Sequence, residues 1–161
     1  MTEDDFKNYF AEIVKQPVMT AEFSELMVEF QRARACNALA LAVRRKHPRE
    51  HLAIARKAAK KCLAQPLPMA EAYGRLALAG AFGLEGRPEL AIAELRRTIE
   101  VFAHHEMASY LAASRRRLAA LVGGDEGREL LRQAELWTTA EHVRRPDRYT
   151  DMMAPGFHPQ T

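Results

Sequence analysis

The chain predicts an all-α fold of stacked antiparallel helix pairs, and three observations carry that expectation. Ala and Leu dominate while β-branched and aromatic residues are scarce, which favours helix over strand. Apolar residues recur at spacings of three and four, and no window keeps an apolar/polar period of two for long. The breaks between the periodic stretches are short and carry Gly or Pro.

Taken in order, the first helix is expected from Asp4 to about Lys15, with Phe6, Tyr9, Phe10 and Ile13 on one face. Pro17 interrupts it, because proline has no N–H to donate and clashes with the preceding turn. A long helix follows from about Thr20 to Arg45. Phe23, Met27, Phe30, Ala33 and Leu41 mark its buried side, which Leu39 and Val43 broaden. Pro48 suits the first turn of the next helix, which runs to about Ala64. There Leu52, Ala55, Ala59, Cys62 and Leu63 face inward, while Arg49, Arg56, Lys57, Lys60 and Lys61 lie mostly outward. After Pro66 and Pro68 come two more pairs, about 69–84 with 88–104 and about 107–122 with 126–142. Their turns are Gly86-Arg87-Pro88 and Gly123-Gly124-Asp125. A short capping helix over 146–153 precedes Pro155-Gly156. Trp137, Met152, Met153 and Phe157 are apolar enough to close the last pair, since a terminal repeat must cover an otherwise exposed face. The domain is read as 1–157, with 158–161 a flexible tail; Phe157 to Thr161 are too polar and Pro-rich to fold by themselves.

Composition narrows the function. The 161 residues fit one ordinary domain or one short array of helix pairs, and 48% hydrophobic residues suffice for a core. Cys36 and Cys62 sit within apolar helical patterns and read as small hydrophobes in a reducing compartment. The acidic start, Met1-Thr2-Glu3-Asp4-Asp5, is unlike a secretory signal. No stretch approaches the roughly 18 apolar residues of a membrane span, so a cytoplasmic location with no membrane partner is expected. The net charge of +3 hides an asymmetry. Residues 1–30 hold seven acids against Lys7 and Lys15, whereas 31–66 hold ten bases against Glu50 alone. Such a division suits self-complementary packing, including a homodimer, or a charged partner.

The tetrapeptide Leu-Ala-Ile-Ala occurs at 52–55 and again at 90–93, each time early in the second helix of a pair. Residues 78–95, from Leu78-Ala79 through Phe82, Gly86 and Ala91 to Leu95, resemble a tetratricopeptide repeat. Small residues at the crossing let two helices approach while Leu and Phe fill the space beside it. Arg75, where that family has an aromatic residue, and Thr98, where it has Ala, depart from the pattern. The spacing of 38 between the tetrapeptides also exceeds the family's period of about 34. A second resemblance covers the last third: Arg115-Arg116-Arg117-Leu118, Gly123-Gly124-Asp125-Glu126-Gly127, Trp137, Arg145-Pro146-Asp147-Arg148 and Met153-Ala154-Pro155-Gly156-Phe157. It looks like the tail of large bacterial regulators that join a serine/threonine kinase and an ATPase module to a tetratricopeptide-like array. The two resemblances imply a superhelical array serving as a scaffold or sensor module in signalling, with a protein or acidic peptide as partner.

Catalytic, cofactor and metal sites find no convincing residues. Gly123-Gly124-Asp125-Glu126-Gly127 lacks a phosphate-loop Lys and sets two acids where phosphate would lie. It also resembles the diguanylate cyclase signature, with Gly127 in place of its Phe and no α/β context; a capping turn with Asp125 or Glu126 at a helix start explains it better. His47-Pro48-Arg49-Glu50-His51 matches a zinc-protease pattern, yet no third ligand stands out and Pro48 puts His47 at a helix edge. His104-His105-Glu106 suits a helix end. The basic stretch 44–61 is the main surface feature. Arg45, Arg49, Arg56 and Lys60 are the candidate partner-binding residues, on the inner-groove use of Lys and Arg that the resemblance implies. The alternative use of that face is nucleic-acid binding, against which stand the absence of a recognition helix and of interleaved aromatics.

Overall fold

The computed structural model describes residues 17–44 and 47–157. The expected helix over 4–15, Arg45 and the tail 158–161 lie outside the described residues. Within them run seven α-helices and no strand: α1 (Pro17–Val43), α2 (Pro48–Leu63), α3 (Pro68–Leu84), α4 (Pro88–His104), α5 (Ala108–Val122), α6 (Gly124–Ala140) and α7 (Pro146–Met153). Helices α1 to α6 each pack on their chain neighbours, giving hairpins α1–α2, α3–α4 and α5–α6 that stack in order. In addition α1 packs on α3, and α5 on α7. The expected all-α array of helix pairs is the architecture found.

Proline and glycine set the boundaries as their chemistry requires. Pro48, Pro68, Pro88 and Pro146 each open a helix, where a missing N–H costs nothing. Gly86 and Gly123 take positive φ values of 69° and 61° at the two hairpin turns. Gly124, also at positive φ, starts α6, with Asp125 and Glu126 in its first turn near the positive end of the helix dipole. No side chain caps that turn.

The face of α1 is a correction. Phe30 is 56% exposed and Ala33 is also exposed, whereas Val28, Gln31, Ala35, Ala38, Leu39 and Ala42 are buried. Apolar residues lie all round this helix, so spacing alone could not choose among several three-and-four stripes. Leu63, expected inward, is 37% exposed. The two Leu-Ala-Ile-Ala segments also differ in packing: the first buries Ala55 and the second Ala91.

The main core joins Val28, Tyr73, Leu76, Leu95, Phe102 and Leu118, and a second cluster joins Leu39, Ala55, Ala59 and Ala81. Alanine and glycine at the crossings let α2 and α3 approach until Leu63 lies directly over Gly74. Thr98, standing where the repeat family has Ala, is fully buried with its hydroxyl oxygen unbonded. Thr98→Val keeps the shape and removes an unsatisfied polar atom, so it should stabilise the fold by about 1 kcal/mol. Urea midpoints check this, and a lower midpoint for the variant contradicts it.

Cys62 is buried with Sγ 3.9 Å from the Val28 carbonyl, and burial pushes its thiol from 9.0 up to about 11. The unfolded chain ionises this thiol near pH 9 while the folded chain holds it neutral. The stability that the neutral thiol supplies is thus full below about pH 9 and is lost as pH rises towards about 11. Burial also raises Cys36, Tyr73 and Tyr110, adding to the loss. Denaturation midpoints falling between about pH 8 and about pH 10.5 are expected; a flat profile contradicts this assignment.

Candidate interaction groove

The first helices of the three hairpins, α1, α3 and α5, meet along one face. At one end of it Arg32 of α1 lies over the rings of Tyr73 of α3 (5.4 Å) and Tyr110 of α5 (6.0 Å), and is held by Glu29 at 2.7 Å. The two tyrosines are 5.1 Å apart, and Phe102 behind them completes an aromatic triad. A cation over desolvated rings fixes the register of the three helices. Cys36, Leu39 and Leu76 continue the face beyond this cluster.

A segment of the chain itself occupies the groove. Ala154, Pro155, Gly156 and Phe157 are all buried and non-helical, and they turn back from α7 across α3. Pro155 and Gly156 lie directly on Gly80, where a Cβ would fall inside contact distance of the Pro155 carbonyl and 3.4 Å from the Gly156 Cα. Leu39 flanks the same spot from α1. Gly156, at φ +104°, makes the bend that only glycine adopts readily. The Phe157 ring covers Gly83, and Arg117 of α5 lies 5.0 Å above its centroid.

Arg117 is the hub of this seat. Its Nε donates to the Ala154 carbonyl at 2.9 Å and its Nη2 pairs with Asp151 at 2.7 Å. Burial lowers the pKa of its guanidinium, with Asp151 opposing. Arg116 beside it pairs with Asp147 of α7 at 2.5 Å and with Glu135 of α6 at 3.7 Å. Next to these pairs opens a cavity of 540 Å³ between α5, α6 and α7, floored by Ala120, Gly127 and Leu131. Its third arginine, Arg128, pairs with Asp125.

Two end residues differ from expectation. Phe157, read both as closing the last pair and as the first residue of a stretch too polar to fold by itself, is 8% exposed and belongs to the main core. Met152, read as closing the last pair, is 64% exposed. Trp137 instead packs on Tyr149 of α7 at 5.8 Å, and Met153 joins the core.

The basic residues fall elsewhere. Arg49, Arg56 and Lys60 share a stripe of α2, which contributes no residue to the groove. Arg49 and Lys60 are exposed. Arg56 is half-buried, paired with Glu85 at the end of α3 and lying 5.5 Å over the Phe82 ring, so it joins two hairpins. His47 has left-handed φ at the start of α2 and stands outside the helix that carries His51. The two imidazoles therefore lack the helical register of the zinc pattern. Among the described residues no group of three His, Cys, Asp or Glu could hold a metal ion, and no helix is long and apolar enough to cross a membrane.

Sequence reasoning missed Arg32, Tyr73, Tyr110 and Arg117. Tyr73 and Arg117 carried some signal, the one two residues before the missing consensus aromatic at Arg75, the other inside the Arg115-Arg116-Arg117 run. No protein-family model, curated protein or solved structure matches the chain.

Proposed function

We propose that this chain is a non-catalytic protein-interaction module of tetratricopeptide type, which takes a segment of a partner protein into the groove along α1, α3 and α5. One observation carries the reading: that groove is built to hold non-helical backbone, and it already holds residues 154–157 by a main-chain hydrogen bond, a bare glycine floor and an aromatic anchor. Pockets that bind main chain plus one anchoring side chain suit peptide ligands. The use as a scaffold or sensor in a signalling assembly follows from the sequence resemblance. The exposed bases Arg49, Lys57, Lys60 and Lys61 of α2 favour the second reading, nucleic-acid binding on the outer helix.

Affinity capture with the full chain, with and without nuclease and at low and high salt, separates the two. A defined protein partner, lost on Gly80→Leu but kept on Arg49→Glu with Lys60→Glu, supports the groove. Nucleic acid lost on the double charge reversal and insensitive to Gly80→Leu supports the α2 face and sinks the groove reading.

A further inference from the structure

We propose that the 146–157 arm is a stand-in for the groove's ligand: the partner segment is an acidic peptide that carries an aromatic residue after its carboxylates, and it binds by displacing the arm. This rests on the groove being the interaction surface.

The arm is seated as a ligand is seated, not only as an end cap. Tyr149 packs on Trp137 of the last hairpin, but the arm does more than close that hairpin: Met152 faces solvent and the buried run 154–157 reaches back to Gly80 and Gly83 of the second hairpin. Helix α7 has eight residues, too few to be stable on their own, so the arm opens as a local unit more readily than the stack beneath it.

The ion pairs are divided unequally. The arginines belong to the stack and are nearly enclosed: side-chain exposure is 18% for Arg116 and 11% for Arg117. Their carboxylates belong to the arm and lie in solvent: 87% for Asp147 and 64% for Asp151. The exposed partner can leave for water at little cost, whereas the enclosed cation needs another anion at once. The cavity beside the pairs gives an incoming carboxylate a way to Arg116 and Arg117. What the groove recognises is therefore written in its occupant. It takes two carboxylates four residues apart, as in Asp147 and Asp151, then a carbonyl for the Arg117 Nε, then a glycine-aromatic pair over Gly80 and Gly83.

The test uses the full chain and a fluorescent peptide with the sequence of residues 146–157, read by anisotropy. In the wild-type chain the arm competes, so binding is weakened by the fraction of chains whose groove is open. Asp147→Asn with Asp151→Asn should loosen the arm, lower the melting temperature by a few degrees with the helical circular-dichroism signal unchanged, and tighten the peptide's Kd by at least about tenfold. Phe157→Ala, which removes the aromatic anchor, should tighten it at least as much. The same two Asn substitutions placed in the peptide should weaken it by about tenfold or more, and added salt should weaken it further. Equal affinity for wild type and both variants, or indifference to the peptide's carboxylates, overturns the proposal. If no chain binds the peptide while partner capture still depends on Gly80, the arm is a structural cap and the groove reading stands. Capture independent of Gly80 removes both.

Discussion

Phe102→Ala should destabilise the fold by about 3–5 kcal/mol, the usual cost of emptying a fully enclosed aromatic site. Phe102 has no exposed surface, and its ring lies 5.1 Å from Tyr110 and 6.0 Å from Tyr73. It thus fills the junction of the second and third hairpins, and aromatic pairing adds about 0.5–1.5 kcal/mol per contact to its buried area. Its ring neighbours sit on two other helices, α3 and α5, and cannot both collapse into the space. At this chain length a melting temperature lower by on the order of 10 °C is expected. Thermal and urea denaturation followed by circular dichroism measure it. A loss under about 1 kcal/mol would mean that the three aromatics do not pack as a unit.

Gly80→Ala should detach the 154–157 segment while leaving α3 intact. In an ordinary helix interior this substitution gains about 1 kcal/mol, because glycine has more backbone freedom to lose. Here the added methyl would strike the Pro155 carbonyl, which is backbone and cannot swing aside as a side-chain tip can. Freeing the arm exposes Phe157, whose burial is worth about 1.5–3 kcal/mol, so the net effect changes sign and becomes destabilising. Hydrogen exchange should show the amides of Ala154, Gly156 and Phe157 losing protection while those of α3 keep it, and trypsin should cut faster at Arg148. Full protection of the arm in the variant refutes the seating. Unlike the Asp→Asn pair, Gly80→Ala opens the arm and obstructs its seat, so it should gain no affinity for the 146–157 peptide.

The fold class and most helix boundaries were legible because they depend on local chemistry. Pro48, Pro88 and Pro146 open helices, and Gly86 and Gly123 turn between them, for reasons contained within a few residues of each. The buried stripe of α1 was not legible: with apolar residues on every side, only the positions of α2 and α3 decide that Val28 is enclosed and Phe30 exposed. Of the site, the sequence pointed to the conspicuous charges, Arg49, Arg56 and Lys60. Whether such charges meet a partner or a neighbouring helix depends on what the fold brings beside them, and Glu85 takes Arg56. The groove escaped notice because it is made of residues that look unremarkable singly. A glycine at 80, an arginine at 117 and a phenylalanine at 157 acquire a common purpose only across long sequence separations, which carry no periodic signature.

The arm also bears on how the stack comes apart. Contacts between helices run almost wholly between chain neighbours, as in a row of dominoes. Rows of this kind fray from their ends, one unit at a time, because each unit is held only by the next. Residues 154–157 add a longer tie, running from the last helix back to Gly80 and Gly83 in the third. Such a tie makes the row melt as one body. Whatever lifts it turns an all-or-none transition into a graded one, so a shallower denaturation curve for the arm-released chain would report the state of the groove with no ligand present.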